Sequence, residues 1–197
     1  FGDLTKLPRT HAFEEIATIQ QSLVDPKLPQ YKTELHVGPE HITSGVGAVN
    51  WQDVRTAEED NVISGKNRFQ RGDIIYSKIR PYLNKVAIAD RAGLCSADMY
   101  VIQPIVHKSN SYFLRMVSMG KDFLSYAETC SNRANIPKLN RAQVENYRFF
   151  SPSFDAQQEY AGRIVEIEKI GSHLDAAAKA NEKLFSSLQH RAFRGEL

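Results

Sequence analysis

Residues 69–99, FQRGDIIYSKIRPYLNKVAIADRAGLCSADM, carry the clearest structural pattern of the chain. Two short runs within it, Asp73–Ser77 and Lys85–Ala89, are rich in β-branched or small apolar residues and are separated by Pro and Asn. Such runs predict β-strands joined by turns. We expect Gly72 and Asp73 to form the turn that precedes the first strand. The apolar residues that we expect in the core are Ile79, Leu83 and Val86.

The flanking sequence predicts both strands and helices, without the regular alternation of a doubly wound sheet. Further strands are predicted at Tyr100–Gln103 and Tyr147–Phe150, and helices at His11–Gln20, Ser111–Ala127 and Arg141–Asn146, the last one after Asn140 as N-cap. The chain is therefore expected to have an α+β fold. A mixed α/β domain at 1–153 is followed by a long coiled-coil-type helix within 154–197.

The second segment has no proline between Gln157 and Phe193 and is rich in Ala, Leu, Glu, Lys and Gln. Its apolar and small residues alternate at spacings of four and three, which is the heptad pattern of a helix that packs against another helix. This seam consists of Tyr160, Ile164, Ile167, Gly171, Leu174, Ala178, Asn181, Phe185, Leu188 and Ala192.

A helix over this segment would be roughly 55 Å long, at about 1.5 Å per residue. It cannot bury its apolar stripe on itself and needs a facing helix, for which a second copy of the chain is the simplest choice. The alternative is a terminal helix that lies across its own domain. Small or polar seam residues such as Gly171 and Asn181 allow close approach and can fix the register.

Positive charge is concentrated in two stretches, although the formal net charge is only +2. Residues 61–91 hold seven Lys and Arg against two Asp, and residues 131–148 hold four against one Glu. Aromatic and amide side chains are interleaved with these cations. Lys and Arg neutralise phosphates, while Arg and Asn also recognise base edges, so the stretches favour nucleic acid. A solvated charged face is the ordinary alternative.

Composition and motifs exclude several other classes. Cys95 and Cys130 lie far apart and form no ligand spacing, which is typical of reduced cysteines in a cytoplasmic protein. No apolar run approaches the ~18 residues of a membrane helix. There is no Asn/Asp-Pro-Pro-aromatic motif, Glu-x-Lys pair or HExxH motif. We therefore expect no catalytic residue, no metal site and no cofactor.

Three stretches together resemble a known family. These are Phe69–Met99, the segment Tyr31–Gly47 with GPEHITSGVG, and Pro152–Leu197, which ends in LFSSLQHRAFRGEL. All three are similar to the specificity subunit of type I restriction–modification systems. The resemblance covers nearly the whole chain, with one target recognition domain and one conserved helical region, so the chain looks like half of such a subunit.

This resemblance implies a non-catalytic protein that recognises one half of a bipartite DNA target and positions methyltransferase subunits. The implied partners are double-stranded DNA, methyltransferase subunits and, where cleavage accompanies modification, a restriction subunit. A homodimer through the helix would supply the missing half. The alternative is an interaction protein that binds the methyltransferase through its helix without recognising DNA. The basic excess of residues 61–91 favours the first interpretation.

The resemblance does not identify the DNA contacts, so we select them by charge and chemistry. The selected residues are Lys66, Arg68, Lys78, Arg80, Tyr82, Lys85, Arg133, Asn135 and Lys138. Two of them have an equally good structural interpretation: Arg80 can cap the turn at Pro81, and Tyr82 can pack inward.

Overall fold

The computed structural model describes residues 6–20, 22–131 and 136–195. The chain divides into two compact units, 1–157 and 158–197. The strands are β1 (His11–Ala12), β2 (Ala17–Ile19), β3 (Leu23–Val24), β4 (Leu35–Val37), β5 (Arg55–Thr56), β6 (Lys66–Phe69), β7 (Ile74–Ser77), β8 (Val86–Ile88), β9 (Gly93–Cys95), β10 (Met99–Pro104) and β11 (Arg148–Phe149). The helices are α1 (Pro29–Lys32), α2 (Ser111–Met119), α3 (Lys121–Ser131), α4 (Arg141–Glu145) and α5 (Phe154–Phe193).

Two sheets and a short strand pair make up the first unit. The four-stranded sheet has the order β2-β10-β7-β8 and is antiparallel throughout. The five-stranded sheet has the order β3-β6-β9-β4-β5, and only its β4–β9 pair is parallel. Strands β1 and β11 form a separate pair that joins both ends of the unit. The predicted α+β fold is confirmed.

The four-stranded sheet lies between two apolar clusters because its side chains alternate across the strands. In β7, Ile74 and Tyr76 belong to the cluster that includes Phe113 and Phe123 of the helices. Ile75, between them, belongs to the cluster that includes Phe69 of the other sheet. Burial on both faces makes β7 the centre of the unit and explains its continuous apolar sequence.

The pattern around β7 and β8 agrees with the prediction. Gly72 has φ +92° and turns the chain into β7, as expected. Val86 is buried, whereas Ile79 and Leu83 are only partly buried. Asn140 caps α4 by accepting a hydrogen bond from the Gln143 backbone nitrogen at 2.9 Å, which confirms the predicted N-cap.

Two helix predictions need correction. Residues 11–20 form β1, a 3-10 turn and β2 rather than a helix, because β2 pairs with β10, with Ile19 opposite Ile102. Residues 111–131 form two helices, because Gly120 has an extended backbone (φ −67°, ψ 146°) that ends α2. Phe113, Val117 and Phe123 are buried in these two helices, and Leu124 is partly buried.

The long helix α5 is confirmed and begins at Phe154, three residues earlier than predicted. Its first turn belongs to the first unit, where the buried Gln157 amide donates hydrogen bonds of 3.1 Å to the carbonyl oxygens of Lys108 and Pro152. Among the described helices, none is long and apolar enough to span a membrane.

Candidate nucleic-acid interface

The two basic stretches, distant in sequence, meet in the fold. The segment after β7 and the segment before α4 form a short bridge in which Ile79 pairs with Lys138. The Leu139 backbone nitrogen donates to the Lys78 carbonyl at 2.9 Å, and the Arg80 nitrogen donates to the Pro137 carbonyl at 2.7 Å. This contact brings three of the predicted DNA contacts, Lys78, Arg80 and Lys138, onto neighbouring backbone. We call these three residues the basic cluster.

Lys78 has an environment suited to an anion. Its ammonium lies 5.1 Å from the centroid of the Tyr100 ring, and within the described residues it has no hydrogen-bond acceptor. Burial lowers the pKa of Lys78, and the neighbouring Lys138 ammonium lowers it further. Lys138 is about half exposed and lies 3.7 Å from Asp98 Oδ1. Two ammonium groups that repel each other gain stability when an anion binds between them.

Arg80 and Tyr82 lie on the adjoining turn. Arg80 is exposed, and its guanidinium makes no ion pair or hydrogen bond with any other described residue. Its backbone occupies the position before the 3-10 turn Pro81–Leu83, so the residue caps this turn and still presents a free side chain. The Tyr82 side chain is 50% exposed and does not pack inward.

Three predicted contacts are occupied within the protein. Lys66 is only 5% exposed, and its ammonium donates to the Ser64 carbonyl and hydroxyl at 2.9 and 2.8 Å. Arg68 forms an ion pair of 2.9 Å with Glu34. The Lys85 ammonium donates to the Pro39 carbonyl at 2.8 Å. These side chains hold loops and strands in place, so we remove them from the candidate interface.

Two further predicted contacts, Arg133 and Asn135, lie outside the described residues. The structure adds a groove beside Lys78 that the sequence did not indicate. It is lined by Gln20, Leu23, Asn67, Tyr100 and Arg141. The sequence did not indicate Gln20 because residues 11–20 were predicted as helix. It did not indicate Arg141 because the position of Arg141 beside Tyr100 depends on the contact between the two basic segments.

The second unit consists of α5 from residue 158 onward, and its predicted seam is open. Ile167, Leu174 and Phe185 are 62–68% exposed. Tyr160 and Ile164, nearest the first unit, are partly buried, whereas Ala178, Asn181 and Leu188 are exposed. Arg163 and Glu159 form an i,i+4 ion pair beside this stripe. An apolar stripe of this length on an exposed helix is typical of a surface that packs against another helix.

Chemistry other than binding has little support in the described part of the chain. No group of three His, Cys, Asp or Glu side chains there could hold a metal ion. Burial raises the pKa of the Cys95 thiol to about 12, which keeps it protonated and unreactive. His36 Nδ1 donates to the Asp60 carboxylate at 2.8 Å, and the exposed Arg55 lies 2.9 Å from the same carboxylate. These three side chains form a structural cluster.

Comparison with known proteins gives consistent results. The chain is 35% identical over 189 residues to the type I restriction enzyme EcoDI specificity subunit of Escherichia coli, with 94% of this chain and 41% of that protein aligned. The HsdS subunit from Thermoanaerobacter tengcongensis has a similar fold, with a TM-score of 0.66, 20% identity, and coverage of 88% of this chain and 45% of the other. The type I S subunit from M. genitalium gives a TM-score of 0.61 at 16% identity, over 94% and 46% of the two chains.

The chain thus spans somewhat under half the length of the relatives that it matches. The family model described as the type I restriction modification DNA specificity domain matches residues 37–180, which include both sheets' central strands, the basic cluster and most of α5. With this match over more than half of its length, the chain belongs to the type I restriction modification DNA specificity domain family.

Proposed function

We propose that this chain recognises one half of a bipartite DNA target and positions methyltransferase subunits on it. The observation that carries the proposal is the basic cluster, where Lys78, Arg80 and Lys138 come together from two distant segments. Lys78 and Arg80 form no ion pair or side-chain hydrogen bond with an acidic residue among the described residues, and Asp98 is the carboxylate that acts on Lys78 from nearby. Phosphate groups can therefore bind these two cations directly. Each phosphate contact releases condensed counterions and favours binding.

The protein contributes recognition and not catalysis. Its sequence has neither the cofactor loop nor the catalytic motif of a DNA methyltransferase, so the chemical step belongs to a partner. The first unit, 1–157, serves as the target recognition domain, and the helix provides the surface for assembly. The family match is the basis for assigning recognition to the first unit and assembly to the helix.

The helix forms a two-fold dimer with a second copy of the chain. In an antiparallel pair with a two-fold axis near residue 176, every seam residue lies opposite another seam residue. The resulting layers are Tyr160 with Ala192, Ile164 with Leu188, Ile167 with Phe185, Gly171 with Asn181, and Leu174 with Ala178. One register pairs all ten seam residues with one another, and this supports a second copy of the chain as the partner helix.

Selection from a randomised duplex pool tests the DNA-recognition proposal. The full chain is incubated with the pool, with and without a type I methyltransferase subunit, and bound duplexes are sequenced. We expect enrichment of a defined half-site, repeated in inverted orientation across a fixed gap. Binding of the methyltransferase without enrichment of any sequence would contradict DNA recognition and favour an interaction protein. Methyl transfer by the chain alone would contradict a non-catalytic role.

A further inference from the structure

The turn that carries Tyr82 has an unusual backbone. Arg80 (φ 48°, ψ 59°) and Asn84 (φ 47°, ψ 49°) are both in the left-handed region, on either side of the 3-10 turn Pro81–Leu83. This region is unfavourable for residues with a side chain, and two such residues around three others are maintained only where the surroundings impose them. Strained backbone of this kind concentrates at functional sites.

Hydrogen bonds from three other segments hold the turn. The Gly45 nitrogen donates to the Asn84 carbonyl at 3.1 Å, and the Ser44 hydroxyl donates to the Leu83 carbonyl. The Asn84 amide donates to the Met119 carbonyl at 3.2 Å at the end of α2. On the other side, the Arg80 nitrogen is bound by Pro137. The turn is therefore a rigid support rather than a mobile loop.

Tyr82 stands on this support, and no partner for its ring or hydroxyl is found among residues 6–20, 22–131 and 136–195. Among the eight tyrosines, all of which are described, the other seven have a ring contact, a cation–π contact or a polar interaction within the protein. Tyr82 has none, and its side chain is 50% exposed. Hydrogen bonds from three segments fix the backbone around Tyr82, while its ring has no partner in the described part of the chain. This combination supports a contact with another molecule.

The surroundings of Tyr82 match the surface of DNA better than that of a protein partner. Val46 and Ile136, on two of the three segments that bind the turn, are exposed apolar side chains. The cations of the basic cluster belong to the same turn and to the segment bound to it. Proteins that distort DNA combine these features, since an apolar side chain inserts between base pairs while cations hold the flanking phosphates.

We propose that Tyr82 is a wedge that inserts at a base step of the half-site and unstacks it. This inference rests on the proposed recognition of DNA and adds a residue that distorts the duplex rather than one that identifies a base. A ring stacks on any base, so its contribution does not depend on sequence. An unstacked step next to the half-site would assist a partner that must turn a base out of the helix before modifying it.

Fluorescence of 2-aminopurine tests the wedge. The probe is the duplex enriched from the randomised pool, with adenines replaced one at a time by this analogue, whose emission rises when it is unstacked. Binding of the wild-type chain should brighten one position, and Tyr82→Phe should preserve the effect. Tyr82→Ala and Tyr82→Gln should abolish it and weaken binding roughly tenfold, a typical value for loss of a base–aromatic stack. Val106→Ala, at another exposed apolar residue, is the control.

The outcomes separate the wedge from the proposed function. If the wild-type chain selects a half-site but raises 2-aminopurine fluorescence at no position, the wedge is wrong while DNA recognition stands. The same holds if Tyr82→Ala raises the fluorescence as much as wild type does. If Tyr82→Ala keeps DNA binding and the fluorescence increase but no longer binds the methyltransferase, the turn contacts a protein and the wedge is again wrong. If the wild-type chain enriches no sequence, the proposed function itself fails. Equal thermal midpoints of the variants confirm that they are folded.

Discussion

At the scale of single residues, the environment decides which cations can bind DNA. Lys66 and Lys85 are each bound to backbone carbonyls of the protein, whereas Lys78 and Lys138 repel each other and share one nearby carboxylate, Asp98. A carbonyl that accepts a hydrogen bond from an ammonium holds it in place, so moving that ammonium to a phosphate elsewhere costs this hydrogen bond. Sequence alone does not distinguish these four lysines, because the distinction depends on contacts between distant segments.

The first residue-scale prediction concerns the basic cluster. A triple variant, Lys78→Gln, Arg80→Gln and Lys138→Gln, should bind the enriched duplex more weakly and with less salt dependence. If each side chain contacts one phosphate, the slope of log Kd against log salt should decrease in magnitude by about 2.7. Fluorescence anisotropy between low and physiological salt measures this slope.

A control triple with the same change of charge shows whether location matters. Lys27→Gln, Lys121→Gln and Lys179→Gln replace three exposed lysines outside the cluster. These substitutions should leave the slope nearly unchanged, because remote charges are screened at physiological salt. Equal slopes for both triples, or an unchanged slope in a folded cluster variant, would show that the cluster does not face DNA.

At the scale of elements, local patterns predicted structure well where the interactions are local. The strands β7 and β8, the Gly72 turn and the capped helix α4 follow from turn formers, alternation and capping within a few residues. Strand β2 was predicted as helix because its conformation depends on β10, about 85 residues away in sequence. Tertiary pairing overrides local propensity in such short segments.

The candidate interface was predictable only in part for the same reason. Charge indicated Lys78, Arg80 and Lys138 individually, but their proximity depends on the Ile79–Lys138 bridge between segments some 60 residues apart. The groove residues Gln20 and Arg141 also come from elements that are distant in sequence. A single sequence gives composition and spacing, and neither contains these contacts.

The element-scale prediction concerns the cap of α4, the helix that follows Lys138. The Asn140 side chain accepts from the Gln143 nitrogen, and the Gln143 side chain accepts from the Asn140 nitrogen at 2.8 Å, a capping box that satisfies both backbone donors. Asn140→Ala should therefore lower the free energy of unfolding by about 1 kcal/mol, as measured by urea denaturation. Asn140→Ser should retain most of the stability, since serine also caps.

The matched control is Asn146→Ala at the other end of α4, where the side chain is exposed. We expect this variant to stay within about 0.5 kcal/mol of wild type. If both alanine variants lose the same stability, the effect is not due to the N-cap. If Asn140→Ala loses none, the capping box does not stabilise the fold.

At the scale of the whole molecule, the main feature is a chain that spans under half the length of its relatives and has an uncovered helical stripe. Both facts are explained if two copies together supply what one longer relative contains. A two-fold dimer then carries two identical recognition domains, so its target should be an interrupted palindrome rather than two unrelated half-sites. The gap between the half-sites should depend on the length of the paired helices.

The last prediction tests the helix as the dimer interface. Ile167→Lys and Leu174→Lys place a charge in two different layers of the proposed seam, where burial of an unpaired ammonium should cost several kcal/mol. Both variants should sediment as monomers at micromolar concentration, while wild type sediments as a dimer. Glu166→Lys, next to Ile167 but outside the seam, also introduces a lysine, with a charge change of +2 rather than +1, and should leave the dimer intact. The first unit has its own core, so its thermal unfolding should change little in all three variants. A monomeric wild type, or dimers in both seam variants, would mean that the exposed stripe is not the dimer seam.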